Sequence, residues 1–225
     1  MRYWATIFFI TIFVFVKAQE SEYLFYGGSI FGGPLPKENI EKTTGKPLIS
    51  PYGGFAFRKY LHQNLFIQLD ITYAIKGASY YTEYTNDTLI DIGIGIVPSF
   101  YTAKVGGNMK LHYIDLPISF GYRISKKQSI SFGIYTSLLF NGYDKGKIFV
   151  QAGYGSFADQ EIAYNNYSLI NHQDFGLNFK YNFNFYKNFH LTFNASRSTR
   201  GLYSNNISNN LYHTNASLSF CYSLQ

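Results

Sequence analysis

The chain contains one cysteine, Cys221, so a disulfide framework within it is excluded. Charged residues make up 14% of the sequence, against about 25% in an ordinary soluble domain. A surface turned mainly toward water is therefore not expected. After the first residues, no apolar run approaches the roughly 20 residues that a spanning helix needs. Helical membrane architecture is excluded on that ground. Phosphate loops and His-Glu-x-x-His runs are missing too, and no histidines or acids stand at metal-ligand spacing, so no cofactor is implied. The formal charge of +6 comes from dispersed Lys and Arg. Without a basic helix or finger spacing it does not indicate nucleic acid, and for an exported chain basic loops fit anionic lipid headgroups better.

What the chain has instead is aromatic residues: 22 Tyr and 22 Phe bring it to 20% aromatic. Arg2, the apolar run Ile7 to Val16 and the small-residue site Val16-Lys17-Ala18 have the layout of a secretory signal peptide. We therefore expect a leader over residues 1–18 and a single exported domain over residues 19–225. An aromatic, charge-poor exported chain without spanning helices points to a transmembrane β-barrel, in which only every second strand residue must be apolar.

Period-two alternation marks eight segments: Glu22 to Phe31, Pro51 to Tyr60, Leu65 to Tyr80, Lys110 to Arg123, Ser129 to Gly142, Asp174 to Phe183, Phe189 to Arg200 and Tyr212 to Leu224. Short polar turns at His62-Gln63-Asn64, Ser125 to Gln128 and Tyr186-Lys187-Asn188 alternate with long connections over residues 32–50, 81–109, 143–173 and 201–211. Long external loops and short periplasmic turns are the asymmetry of outer-membrane barrels. The expected fold is all-β, an antiparallel up-and-down transmembrane barrel of eight strands in the cell outer membrane. The row Ile90, Ile92, Ile94, Ile96 and the stretch Lys147 to Tyr154 leave two readings open: hairpins that continue neighbouring strands, or an extra pair making ten. A soluble eight-stranded barrel has the same periodicity with the faces reversed.

Consistent alternation turns Arg58, Asp70, Lys76, Asp115, Arg123, Asp174 and Lys180 toward the lumen. Both signs are present, and in an interior just filled by side chains such groups pair across the barrel. The stretch Leu111 to Ile124 is the clearest case. Ile114, Leu116, Ile118, Phe120 and Tyr122 form the apolar row, while Asp115 and Pro117 share the other face. Arg58, Arg123 and Lys180 are the first partners to consider for Asp115. Pro117 has no N–H, so a bulge or a missing ladder bond is expected beside it.

Two segments carry a resemblance. Tyr113-Ile114-Asp115-Leu116-Pro117 resembles a signature strand of PorT-like outer-membrane β-barrel proteins of the Bacteroidetes. The stretch from Asp174-Phe175-Gly176 through the turn Tyr186-Lys187-Asn188 is similar to that family's later strand pair. The resemblance implies an integral outer-membrane protein in contact with lipid and lipopolysaccharide, some of whose relatives serve protein secretion. It speaks for architecture, not chemistry.

The functional expectation is a structural or accessory barrel that engages an envelope or secretion partner, and not an enzyme. Two alternatives stand beside it. One is a narrow channel for small solutes. The other is a lipid-modifying enzyme using His172 with Asp174, or His112 with Asp91, near the external rim.

Overall fold

The computed structural model describes residues 21–36, 43–91, 96–153, 160–165, 167–202 and 211–224. The expected leader, Ile92, Ile94 and most of the 201–211 connection lie outside them. Nine strands form: β1 Ser21–Pro36, β2 Thr43–Tyr60, β3 Leu65–Asp91, β4 Ile96–Ser125, β5 Gln128–Gly153, β6 Gln160–Asn165, β7 Gln173–Tyr186, β8 Phe189–Ser198 and β9 Leu211–Leu224. Every neighbouring pair is antiparallel. The order β1-β2-β3-β4-β5-β7-β8-β9 closes through the pairing of β9 with β1, from Tyr23 opposite Leu224 to Pro36 opposite Leu211. The barrel therefore has eight strands. β6 adds only a short hairpin to the external part of β5, pairing Lys145 to Val150 with Gln160 to Asn165.

The faces are those of a membrane barrel. Phe120, Ile134 and Phe220 are more than 60% exposed, and Phe25, Phe55, Phe132, Leu177, Phe193 and Leu218 line the same outer surface. Their strand neighbours Gln68, Asp70, Lys76, Asn178, Lys180 and Ser219 are buried. A soluble barrel would reverse this arrangement, because water penalises so continuous an apolar exterior. β-Branched and aromatic residues thus serve twice, favouring the pleated backbone and presenting a greasy face to lipid.

The sequence expects long loops at residues 81–109 and 143–173, and here the structure differs. β3 has 27 residues and β4 has 30, and their ladder continues without interruption from Thr72 opposite Asp115 to Asp91 opposite Ile96. A tilted strand crosses the hydrocarbon in about 9–11 residues, so much of this hairpin stands outside the membrane. Backbone hydrogen bonds continue to hold the strands together there. Ile90 and Ile96 belong to this hairpin, and the barrel wall gains no strand pair from it.

Away from the short turns, three irregularities tune the wall. β2 slips by one residue against β3 between Pro47 and Tyr52. Opposite His112 and Tyr113, β5 carries an extra residue at Phe140. Tyr135, Ser137 and Leu139 are buried below this bulge, whereas Asp144 is buried above it, so the inward positions change from odd to even. At Pro117 the register is kept, but pairing with β3 lapses: Leu69 pairs with Ile118 and Thr72 with Asp115, with no ladder pairing between. Pro117 remains paired with Tyr135 on its other side. The missing N–H leaves a gap and no bulge.

Gly121 shows how tightly the interior is filled. It lies opposite Phe66, and a Cβ at this position would come within 2.1 Å of the Phe66 ring. That ring is held beneath the Arg58 guanidinium, 4.4 Å from its centroid, and against Tyr60 at 5.6 Å. Gly121→Val should destabilise the barrel by about 1–3 kcal/mol, and Phe66→Ala in the same chain should recover much of that loss. Urea unfolding in micelles, followed by heat-modifiable electrophoretic mobility, measures both.

Candidate functional site

The inward residues form tiers along the barrel axis. Nearest the short turns, Arg58 donates from Nη1 to Glu22 Oε2 at 3.0 Å and from Nε to Gln68 Oε1 at 3.0 Å. Arg123 reaches the other oxygen of Glu22 at 3.4 Å and lies over the Tyr60 ring at 4.0 Å. One turn-side carboxylate therefore serves two arginines. The buried Arg58 and the partly exposed Arg123 are both tolerated here because each has an anion and an aromatic face.

The middle tier centres on Asp70. Its Oδ1 accepts from Tyr26 Oη at 3.0 Å and from Gln68 Nε2 at 2.9 Å, and it lies 2.6 Å from Lys180 Nζ across the lumen. Gln68 also donates to Tyr26 Oη, which links this tier to the one below. Higher again, Lys76 Nζ bonds Asp115 at 2.8 Å and Ser137 Oγ at 3.1 Å, between the rings of Tyr113 and Tyr135 at 4.7 and 5.1 Å. Asp174 accepts from Tyr135 Oη at 3.1 Å and from the Ser198 hydroxyl.

Above the ion pairs an apolar cluster fills the lumen beside the buried Asp144 and His213. Met109, Leu111, Tyr113 and Leu139 pack with Ile170 and Leu202, which external connections bring inward. Hydrogen bonds fix this cork: Asn171 donates its backbone N–H to Leu202 O and its side-chain amide to Gly201 O, each at 2.8 Å, while Leu139 N–H bonds His172 O at 2.8 Å. Across the lumen, β8 and β9 present small inward residues, among them Thr192, Ser198, Ser217 and Ser219. Large side chains from β1 to β4 thus project toward a wall of small ones, and this lets a narrow barrel fill without a core of its own.

Arg58, Asp70, Asp115, Arg123, Asp174 and Lys180, the candidates read from sequence, all project inward, but their pairing differs from expectation. The partner of Asp115 is Lys76, and none of Arg58, Arg123 or Lys180 reaches it. Alternation assigns a face but leaves depth open. Arg123 is eight residues along β4 from Asp115, about 26 Å at strand rise. Glu22 joins the lumen acids, since it shares the inward parity of Leu24 and Tyr26 in β1.

The histidine constellations do not assemble. His172 is exposed whereas Asp174 is buried, and His112 bonds Tyr73 Oη at 2.7 Å in the barrel wall. Asp91 is at the far end of the hairpin, 16 residues along β3 from Ile75, the residue that pairs with His112. Among the described residues no cluster of His, Cys, Asp and Glu could hold a metal ion.

A closed antiparallel barrel with a lipid-facing apolar exterior, a polar lumen and short turns at one end defines an integral outer-membrane β-barrel protein. The family model described as outer membrane protein beta-barrel domain matches residues 17–206, and the chain belongs to that family. None of the curated proteins matches the sequence. Among solved structures, the attachment invasion locus protein Ail of Yersinia pestis is similar at 12% identity, covering 92% of this chain and 100% of its own, with a TM-score of 0.48. Neisserial surface protein A is similar at 10% identity over 92% and 98% of the two chains, with a TM-score of 0.40. The outer membrane channel DcaP of Acinetobacter baumannii shares 9% identity over 91% and 96%, with a TM-score of 0.28.

Asp115→Leu leaves the Lys76 ammonium buried without its anion. It should cost about 3–5 kcal/mol, and Lys76→Met with Asp115→Leu should restore most of the loss, since an apolar pair often replaces a buried ion pair without penalty. Urea midpoints of the refolded barrels in liposomes measure the two values.

Proposed function

We propose that this chain is a non-conducting, accessory barrel of the outer membrane, PorT-like in type, which supports protein secretion or an envelope complex through its hairpins and turns. The observation that carries this reading is the occupancy of the lumen. Three tiers of paired charges and aromatic rings cross it, and Met109, Leu111, Leu139, Ile170 and Leu202 close it on the external side. Moving a solute along that axis would require breaking buried pairs that cost several kcal/mol each to separate. The external hairpin of β3 and β4 offers a continuously paired backbone beyond the lipid for a partner. Tyr113, Asp115 and Pro117 fit the same reading, since all three face inward and shape the lumen and wall without forming a reactive group.

Planar-bilayer recording on the refolded protein should give insertion without stepwise current. Regular conductance steps would establish the narrow-channel alternative. Gentle extraction from native membranes should recover the barrel with an envelope or secretion protein, and a barrel that always runs alone would count against an accessory role.

A further inference from the structure

Among the described residues the barrel is open at the short-turn end. A cavity of about 240 Å³ lies between the β4–β5 turn and the β7–β8 turn, bounded below by the Glu22 and Arg58 tier. The two turns are tied together by the Asn184 N–H bond to Lys127 O at 2.7 Å. Lys126 and Lys127 on one turn and Lys187 on the other bring their charges to a single rim. Arg123 adds a guanidinium within, and among the described residues Glu22 is the only carboxylate lining the space.

That carboxylate is already committed. Arg58 holds one oxygen of Glu22 at 3.0 Å, and Arg123 contacts the other at only 3.4 Å while 27% of its side chain remains exposed. Stacking on Tyr60 at 4.0 Å keeps this guanidinium in place. A positioned, accessible, under-compensated arginine beneath a ring of lysines is built to receive a carboxylate in bidentate geometry. The cavity holds about eight waters at roughly 30 Å³ each, enough for one or two residues of an extended chain and too little for a folded domain. The space lies inside the ring of strands, so lipid headgroups outside the wall do not adjoin it. With the tiers and the cork behind it, whatever enters must leave by the same side.

We infer that this vestibule captures the acidic tail of a periplasmic protein, a carboxylate-rich peptide segment, with Arg123 and Lys126, Lys127 and Lys187 as its contacts. The inference rests on the accessory role proposed above and gives that role a site and a class of partner. Long-range attraction by the rim lysines would steer the tail, and Arg123 would fix its terminal carboxylate.

Fluorescence anisotropy of labelled hexaglutamate against the full-length barrel in nanodiscs tests it. Saturable binding is expected, weakening as salt rises. Lys126→Glu, Lys127→Glu and Lys187→Glu combined should reduce affinity about tenfold or more. Arg123→Gln, which leaves the rim intact, should lose several-fold, and Lys145→Glu at the external end should change nothing. Heat-modifiable mobility confirms that each variant is folded. Hexalysine binding as tightly, indifference to the rim variant, or displacement by inorganic phosphate at the concentration of peptide needed would each overturn the assignment. A native partner that copurifies equally with the rim variant would also overturn this site while leaving the accessory role standing. Peptide binding by a barrel that copurifies with nothing would leave the site standing and sink the role.

Discussion

In hydrocarbon an unpaired backbone N–H or carbonyl costs several kcal/mol, so the pairing of β9 with β1 is the constraint on which the rest of this molecule depends. Once the ladder closes, each side chain has one of two destinations, and the pleat assigns them in strict alternation. The apolar row of Ile114, Ile118, Phe120 and Tyr122 can face lipid only if Asp115, Pro117 and Arg123 turn inward. Closure thus forces charge into a narrow lumen, where it must be neutralised. The tiers of paired residues are the consequence. The gap beside Pro117 leaves this wall locally unpaired on its β3 side.

The lumen meets that demand by dividing labour between its two walls. β1 to β4 carry the long groups, Tyr26, Arg58, Tyr60, Phe66, Gln68 and Lys76, while β8 and β9 supply mainly hydroxyls and other small side chains. Gly121 under Phe66 and Gly176 under Tyr135 continue the same economy within the first wall and the β5–β7 seam. Charge is also distributed along the axis. Bases predominate at the short-turn mouth, the middle tier is balanced, and the carboxylates of Asp115 and Asp174 share the upper tier with one Lys76 ammonium. The hydroxyls of Tyr135 and Ser198 take up the excess anion by donating to Asp174, so a second cation is not required there.

Much of this was legible in the chain, for a physical reason. In Leu65 to Lys76 and Asp174 to Phe183 one face meets lipid and the other a polar lumen, so the two-residue period stands out. Strand number, the short turns and the inward facing of Arg58, Asp70, Asp115, Arg123, Asp174 and Lys180 all follow from it. Depth did not follow, because shear between strands is a property of the closed barrel and not of any one segment. Hence the pairing of Lys76 with Asp115 and the role of Glu22 emerged only from the assembled register. The length of the β3–β4 hairpin was hidden for a different reason, since beyond the hydrocarbon no lipid imposes an apolar row on a strand. The cork was also out of reach: Ile170 and Leu202 lie in connections, and nothing local to them says which end of the lumen they close.

The choice of charge over a plain apolar filling has its own logic. In water an apolar core drives side chains inward, but in a bilayer the outside is as apolar as any core, so a greasy lumen would not distinguish one face of a strand from the other. A slip of one residue exchanges the faces completely. With Arg58, Asp70, Lys76, Asp115 and Lys180 on the inner face, the slipped barrel would place ions in lipid, at about 2–4 kcal/mol for each Arg or Lys near the midplane, while stranding aromatic rings in a polar lumen. Spread over β2, β3, β4 and β7, these residues penalise misregister on half of the strands at once. The bulges at Pro47 to Tyr52 and at Phe140 both fall beside Lys76, in the most external of the three ionic tiers, and the two tiers nearer the short turns keep their register. The ion pairs therefore act first on specificity, by making a single register of the closed ladder far better than its neighbours, and their contribution to net stability is secondary to that.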